Sequence, residues 1–397
     1  MSGPTRPRPA GTRPAGTGPA GTEPAGTGPA EASAFGAPSA ADRAVKRRRL
    51  LDILAARQQL DPSVTGIALT SHAAVSWYLD GARTHVSLAG DPVLAVLVDT
   101  DADTVVTTVS ERARLEAEEL PAGSRIHELG WDEPVTRAWA GRPGILAESD
   151  LAGELRAARA QLLPAELGRF SALGRDTALV LTEVLANASP GIREQKVATA
   201  VGAGLLHLGI DPLVLLVAGR SRLGHRHPLP TDATIGDRAM VVACGRRNGL
   251  IVNLTRWVRF GAADPAEADA TARILEVEAA YFAATRPGAE LSDVLARGSA
   301  AYGAHGFDAE ESRRHHQGGP AGYNGRDPRA VPGLPDVVQG GQAFAWNPSA
   351  PGAKVEDTVV IGGRSGDGPG GIEVLTVDPR WPVTVLHGLA RPAELQL

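Results

Sequence analysis

The chain has 397 residues, 43% of them hydrophobic, and a formal net charge of −5, enough for two or three domains with their own cores and too apolar to be disordered in bulk. Acidic and basic residues are interspersed, which argues against a nucleic-acid surface, and no apolar run reaches the length of a membrane span. The single cysteine, Cys244, excludes an internal disulfide framework and suits a reducing compartment; with no apolar stretch after the N-terminal arginines, a cytoplasmic protein is expected.

Residues 1–42 hold P-A-G-T four times at a five-residue step, from Pro9, Pro14, Pro19 and Pro24, a composition that cannot bury enough apolar surface to offset chain entropy and predicts a mobile tail. The basic cluster Lys46–Arg49 then leads into Leu50, Leu51, Ile53 and Leu54 at helical spacing, predicting a helix with a solvated basic end. Within residues 43–150 the apolar segments are short and β-like: G-I-A-L-T from Gly66, V-L-A-V-L-V from Val93 and T-V-V-T-T-V from Thr104. With charged helical stretches between them, they predict an α/β domain. Residues 151–170 read as a linker helix and 171–397 as a second domain.

That second region contains a repeat. L-T-E-V-L-A-N-A-S-P-G-I-R-E-Q from Leu181, closing with H-L-G at Gly209, is matched by E-A-A-Y-F-A-A-T-R-P-G-A-E-L-S from Glu278, closing with A-H-G at Gly306. Each copy predicts a helix, a Pro-Gly break and a second helix stopped by glycine. Asp264-Pro265 announces the second copy as an N-cap followed by proline at the first helical position. Two long copies point to duplicated half-domains rather than a solenoid.

Between the copies, Gly236 to Arg256 reads G-D-R-A-M-V-V-A-C-G-R-R-N-G-L-I-V-N-L-T-R. It resembles, without a gap, the G-D-x-V-x-x-D-x-G-x-x-x-x-G-Y-x-x-D-x-T-R strand pair of the Xaa-Pro aminopeptidase, creatinase and methionine aminopeptidase superfamily. Trp77-Tyr78-Leu79-Asp80-Gly81 is similar to the N-x-x-Y-L-T-G segment of that superfamily's creatinase-type N-terminal domain. The resemblance implies an α/β creatinase-like N-terminal domain followed by an α+β pita-bread domain with pseudo-twofold duplicated halves, and a homodimer.

In that family five ligands hold two divalent ions, because paired hard cations need several carboxylate oxygens to share their charge and generate a hydroxide. By the resemblance the five positions fall here on Val242, Asn253, Gly319 in H-H-Q-G-G-P-A-G, Asn347 in F-A-W-N-P, and Glu356 in A-K-V-E-D-T. One carboxylate of five predicts a site that holds neither the paired ions nor another cofactor. His227 in H-R-H-P-L-P-T and His315 match two substrate-contacting histidines of the family, Arg326 stands where a third is placed, Arg256 is the family arginine, and Lys354 replaces an arginine before the last glutamate. His225 and Cys244 read as structural.

Creatinase cleaves a carbon–nitrogen bond without metal, and by that precedent His227 is the general acid and base. Glu356 would orient a water or a cationic nitrogen, and Asn253 and Asn347 would hydrogen-bond a carbonyl or its oxyanion. His315, His316, Arg326, Arg256 and Lys354 would make a positive cavity for an anionic or peptide-like substrate. Internal pairing of Arg256 and Lys354 with Glu356 or Asp357 stays open, as does a merely solvated His315-His316 loop. The competing expectation is a non-catalytic pseudo-peptidase binding a peptide, a small ligand or a protein partner. A metal-dependent aminopeptidase with altered ligands is the third.

Overall fold

Helix α1 (Ala40–Leu60) opens the part of the chain that the computed structural model describes, residues 39–362 and 371–397; the expected tail lies almost wholly outside the described residues. Ser39 caps this helix by accepting a hydrogen bond from the Asp42 amide, and Leu50 and Leu54 are fully buried. The expected solvated basic end is corrected at Lys46, which is 0% exposed with its Nζ 2.6 Å from Asp80 and 2.8 Å from Glu166. Arg169 donates to the same Asp80 at 2.7 Å. A charge so far from water persists only where it is paired, and these pairs tie α1 to the chain around residue 80 and to a long helix of the second region.

After α1 come β1 (Gly66–Leu69), α2 (His72–Tyr78), β2 (Leu94–Asp99), β3 (Asp103–Thr108), α3 (Val109–Glu118), β4 (Arg125–Leu129) and β5 (Ile145–Ala147). The strands form one sheet in the order β4-β3-β2-β1-β5. Pairs β1–β2 and β2–β3 are antiparallel, while β3–β4 and β1–β5 are parallel. The three apolar segments read from sequence are β1, β2 and β3.

The linker expected as one helix is two. Helix α4 (Ala152–Ala160) stops, and α5 (Pro164–Ala186) starts afresh with proline in its first turn and the Glu166 carboxylate accepting from the Leu163 amide. Proline lacks the amide that a continuous helix would need. Helix α6 (Glu194–His207) pairs with α5, and α7 (Pro265–Ala284) with α8 (Leu291–Ala304). These are the two repeat copies. Both end at a glycine of positive φ, Gly209 at 67° and Gly306 at 73°, where a side chain would be strained. The residue before each second helix makes an isolated antiparallel bridge, Arg193 to Thr234 and Glu290 to Val337. Asp264 caps α7 by accepting from the Ala266 and Glu267 amides.

Each helix pair carries a sheet. Strands β6 (Asp211–Gly219), β7 (Arg238–Arg247), β8 (Leu250–Arg259) and, closing the chain, β17 (Leu395–Gln396) lie in the order β17-β8-β7-β6. Strands β9 (Gly318–Ala321), β10 (Ala343–Trp346), β13 (Val359–Ile361) and β14 (Ile372–Val374) lie in the order β14-β13-β10-β9. Two-stranded ribbons, β11 (Ser349–Ala350) with β12 (Ala353–Lys354) and β15 (Val383–Leu386) with β16 (Leu389–Pro392), complete the set. Strand β8 joins the halves: the Ile251 amide donates to the Gly322 carbonyl at 2.8 Å, the Asn253 amide to the Thr358 hydroxyl at 2.8 Å, and the Thr255 amide to the Glu356 carbonyl at 2.9 Å. Two of the candidates, Asn253 and Glu356, lie on this seam. Among the described residues no helix is long and apolar enough to cross a membrane.

Candidate functional site

The β7–β8 hairpin turns at Asn248 and Gly249, both with positive φ, and this tight turn fixes the register. Cys244 therefore opposes Asn253, and Val242 opposes Thr255. Alternation along the strands places these four on one face. Val241, Ala243, Val252 and Leu254 take the other, in the core with α5 and α6. Val242 packs with Leu216, Ala218, Met240 and Trp257. Asn253 accepts from the Cys244 thiol at 3.1 Å. Burial first, and the Glu356 charge next, push that thiol up to about 12, so it is not a nucleophile at neutral pH.

Glu356, 3% exposed, forms the centre of a charge network. One oxygen accepts from Arg326 Nη2 at 2.5 Å; the other accepts from Lys354 Nζ at 2.5 Å and from the Thr255 hydroxyl at 3.2 Å. Burial opposes ionisation, but Lys354 and Arg326 outweigh it and hold the pKa down at about 2. Arg256 is not brought to this cluster. It pairs with Asp357 at 2.9 Å and donates to the Thr376 carbonyl at 2.6 Å.

On β10, Trp346 stacks on Tyr281 in the core beside α7, so the next residue, Asn347, falls on the opposite side. It is 4% exposed, and its Oδ1 is buried without a hydrogen-bond partner. Arg326 Nε and His316 Nδ1 are orphaned in the same way. Gly319 has φ 137°, and a Cβ there would meet Ala330 N and Pro328 O at 2.9 Å, so no side chain fits.

Outside this network three histidines converge. His227 is exposed on the loop after β6, while His315 and His316 are half-buried just before β9. His227 Nε2 lies 3.0 Å from His315 Nε2, and the ring centroids of His315 and His316 are 4.4 Å apart. His315 Nδ1 is 3.4 Å from Ser349 Oγ, which accepts from Arg226 at 2.9 Å. Arg226 uses one lone pair of that hydroxyl, which can still donate to or accept from His315, so either tautomer of the histidine pair is served. Burial, then His316 and Lys354, push His315 down to about 3; burial, then Arg326 and Arg329, push His316 down to about 4. Both rings are neutral at pH 7.

These depressed values set a pH dependence. An unfolded histidine binds its proton near 6.5, and the folded rings do so only near 3 and 4, so between those limits the unfolded state holds more protons. Stability therefore falls as pH drops below about 6.5. A scan of melting temperature from pH 7 to 5 is expected to show a decline, flattened in a His315→Gln/His316→Gln variant; the Glu356 contribution is lost only below about 4.5.

The structure thus brings His227, His315 and His316 together, with Arg326, Lys354 and Glu356 in one network behind them, and separates Arg256 from both. Sequence reasoning missed Arg226, Thr255, Arg329 and Ser349. Arg226 sits between His225 and His227, Thr255 precedes the family arginine, and Ser349 follows Asn347-Pro348; adjacency to the motifs was the available signal.

Residues 169–363 match the model of metallopeptidase family M24. No curated protein sequence matches the chain. Among solved structures the fold is similar to dipeptidase PepE from Mycobacterium ulcerans, at TM-score 0.67 and 19% identity, covering 90% of this chain and 99% of that one. It is also similar to an Xaa-Pro dipeptidase from Bacillus anthracis, at TM-score 0.67 and 15% identity, covering 89% and 100%. A third is the N-terminal domain of the FACT complex subunit SPT16 from Cicer arietinum (chickpea), at TM-score 0.58 and 14% identity, covering 85% and 97%. With duplicated helix pairs, a sheet beside each and these similarities, the chain has the pita-bread fold, and its residues 169–363 are similar to metallopeptidase family M24, in keeping with the resemblance of its central strands to the Xaa-Pro aminopeptidase and creatinase motifs.

Proposed function

We propose that the chain is a hydrolase of a carbon–nitrogen bond in a small anionic or peptide-like substrate, acting through the His227–His315 pair and without paired metal ions. The donor set does not fit two hard cations. Val242 and Gly319 offer no donor, Asn253 and Asn347 are neutral, and both oxygens of Glu356 are taken by Lys354 and Arg326. A divalent ion there would meet two ammonium-type charges for one carboxylate.

The observation that carries the reading is the 3.0 Å contact of two imidazoles at an exposed lip. A water beside His227 gives one proton to the imidazole and attacks the electrophilic carbon. As the carbon–nitrogen bond breaks, the imidazole returns that proton to the leaving nitrogen, so one water is divided between the two products. Two orphaned polar atoms support the substrate class. Arg326 Nε is a buried donor without an acceptor and Asn347 Oδ1 a buried acceptor without a donor, a pair that a carboxylate and an amide N–H would satisfy. The reading carries with it a cytoplasmic homodimer.

A second reading, a non-catalytic binding protein, is favoured by the closure of the centre, where Asn253 is 2% and Asn347 4% exposed. The test is turnover of a panel of N-acyl amino acids, dipeptides and guanidino acids in the presence of a chelator. Hydrolysis unaffected by chelator is the expected result. Binding without turnover would select the second reading, and turnover abolished by chelator and restored by manganese would overturn both.

A further inference from the structure

The histidine cluster offers more than a proton path. We propose that His227, His315 and His316 form a binding site for one divalent transition-metal ion of the zinc type, beside and distinct from the place of the family's paired ions. The three rings each offer a nitrogen, and these ligand atoms all lie within 4.8 Å of one another. A tetrahedral zinc with Zn–N bonds of 2.0–2.1 Å holds its nitrogens about 3.3 Å apart. The His227 and His315 Nε2 atoms already stand at 3.0 Å, and bringing in the widest pair takes about 1.5 Å of side-chain movement toward that geometry. His227 is exposed on a loop and free to supply it.

An independent sign is the His316 ring, whose Nδ1 is buried with no hydrogen-bond partner. A ring engaged by the protein through both nitrogens would have nothing left for a ligand, and this one does. Three imidazoles without thiolate or carboxylate select zinc, cobalt, nickel or copper over magnesium, calcium or manganese. His227 is exposed, so water or an anion can reach a bound ion as its fourth ligand. Arg326 and Lys354 share a single carboxylate, Glu356, so the surroundings are cationic and the fourth ligand is expected to be hydroxide or another anion. A bound ion takes the Nε2 lone pairs used in proton transfer, so metal loading inhibits turnover; that consequence rests on the function proposed above, whereas the binding does not.

The test uses the full chain without an affinity tag, dialysed against chelator, then titrated with zinc by calorimetry and with cobalt by visible absorption. One ion per chain is expected, with the intense absorption of tetrahedral cobalt. His316→Ala and, separately, exposed His227→Ala should weaken binding by more than the roughly 10- to 100-fold that loss of an outer-shell partner costs. His387→Ala, which removes an exposed histidine paired with Glu276, should leave it unchanged. No binding, or binding indifferent to both cluster variants, overturns the inference and leaves the proposed hydrolase standing. Two ions per chain retained in His316→Ala overturns both.

Discussion

Glu356→Gln is expected to destabilise the protein by about 3–5 kcal/mol, because it leaves Lys354 and Arg326 buried around a neutral amide. The carboxylate is nearly inaccessible and both its oxygens are occupied by charged donors at 2.5 Å, so water cannot replace what is lost. Chemical denaturation at pH 7 measures it. A Lys354→Met/Glu356→Gln double variant removes one stranded charge along with its partner and is expected to recover part of the loss. A glutamate free to ligate metal would behave differently: its replacement would cost metal affinity and little stability of the metal-free protein. The size of the single-variant effect thus separates a structural ion network from a vacated ligand.

The second large effect is on rate. His227→Ala is expected to lower kcat by about 100- to 10,000-fold, the usual contribution of a positioned general acid–base, with little change in stability because the side chain is exposed. His315→Gln should lower kcat less. It keeps a polar group of similar reach near Ser349 and His227 but breaks the two-tautomer relay. A KM that stays level while kcat falls is the signature of an interaction made in the transition state. An unchanged kcat in His227→Ala would move the chemistry elsewhere.

Much of the fold was legible. The repeat with its glycine stops, the Asp264-Pro265 cap and the three apolar segments of the first sheet are local signals, and each became the expected element. Strands β4 and β5 were not legible, because β4 is mostly exposed and β5 is three residues long, so neither carries an apolar run. Lys46 looked like part of a solvated cluster because its partners, Asp80 and Glu166, lie in other parts of the sequence. The same limit governed the site. Motif spacing found Asn253, Asn347, Glu356 and the histidines, but not how the charges would pair. Lys354 is two residues from Glu356, while Arg326 reaches it from thirty away, and Arg256 turned to Asp357 instead. Nothing local in T-R or E-D decides which carboxylate an arginine will meet. Ser349 and Arg226 became visible only when the histidine loops were brought together.

The most direct test of the claim that this site does not use paired metal ions is anomalous diffraction from crystals grown with manganese and, separately, with zinc. In both, no anomalous peak is expected within coordination distance of Asn253, Asn347 or Glu356, with Glu356 still held by Lys354 and Arg326. A pair of peaks there, with Glu356 turned from its two cations to a metal, would contradict the account.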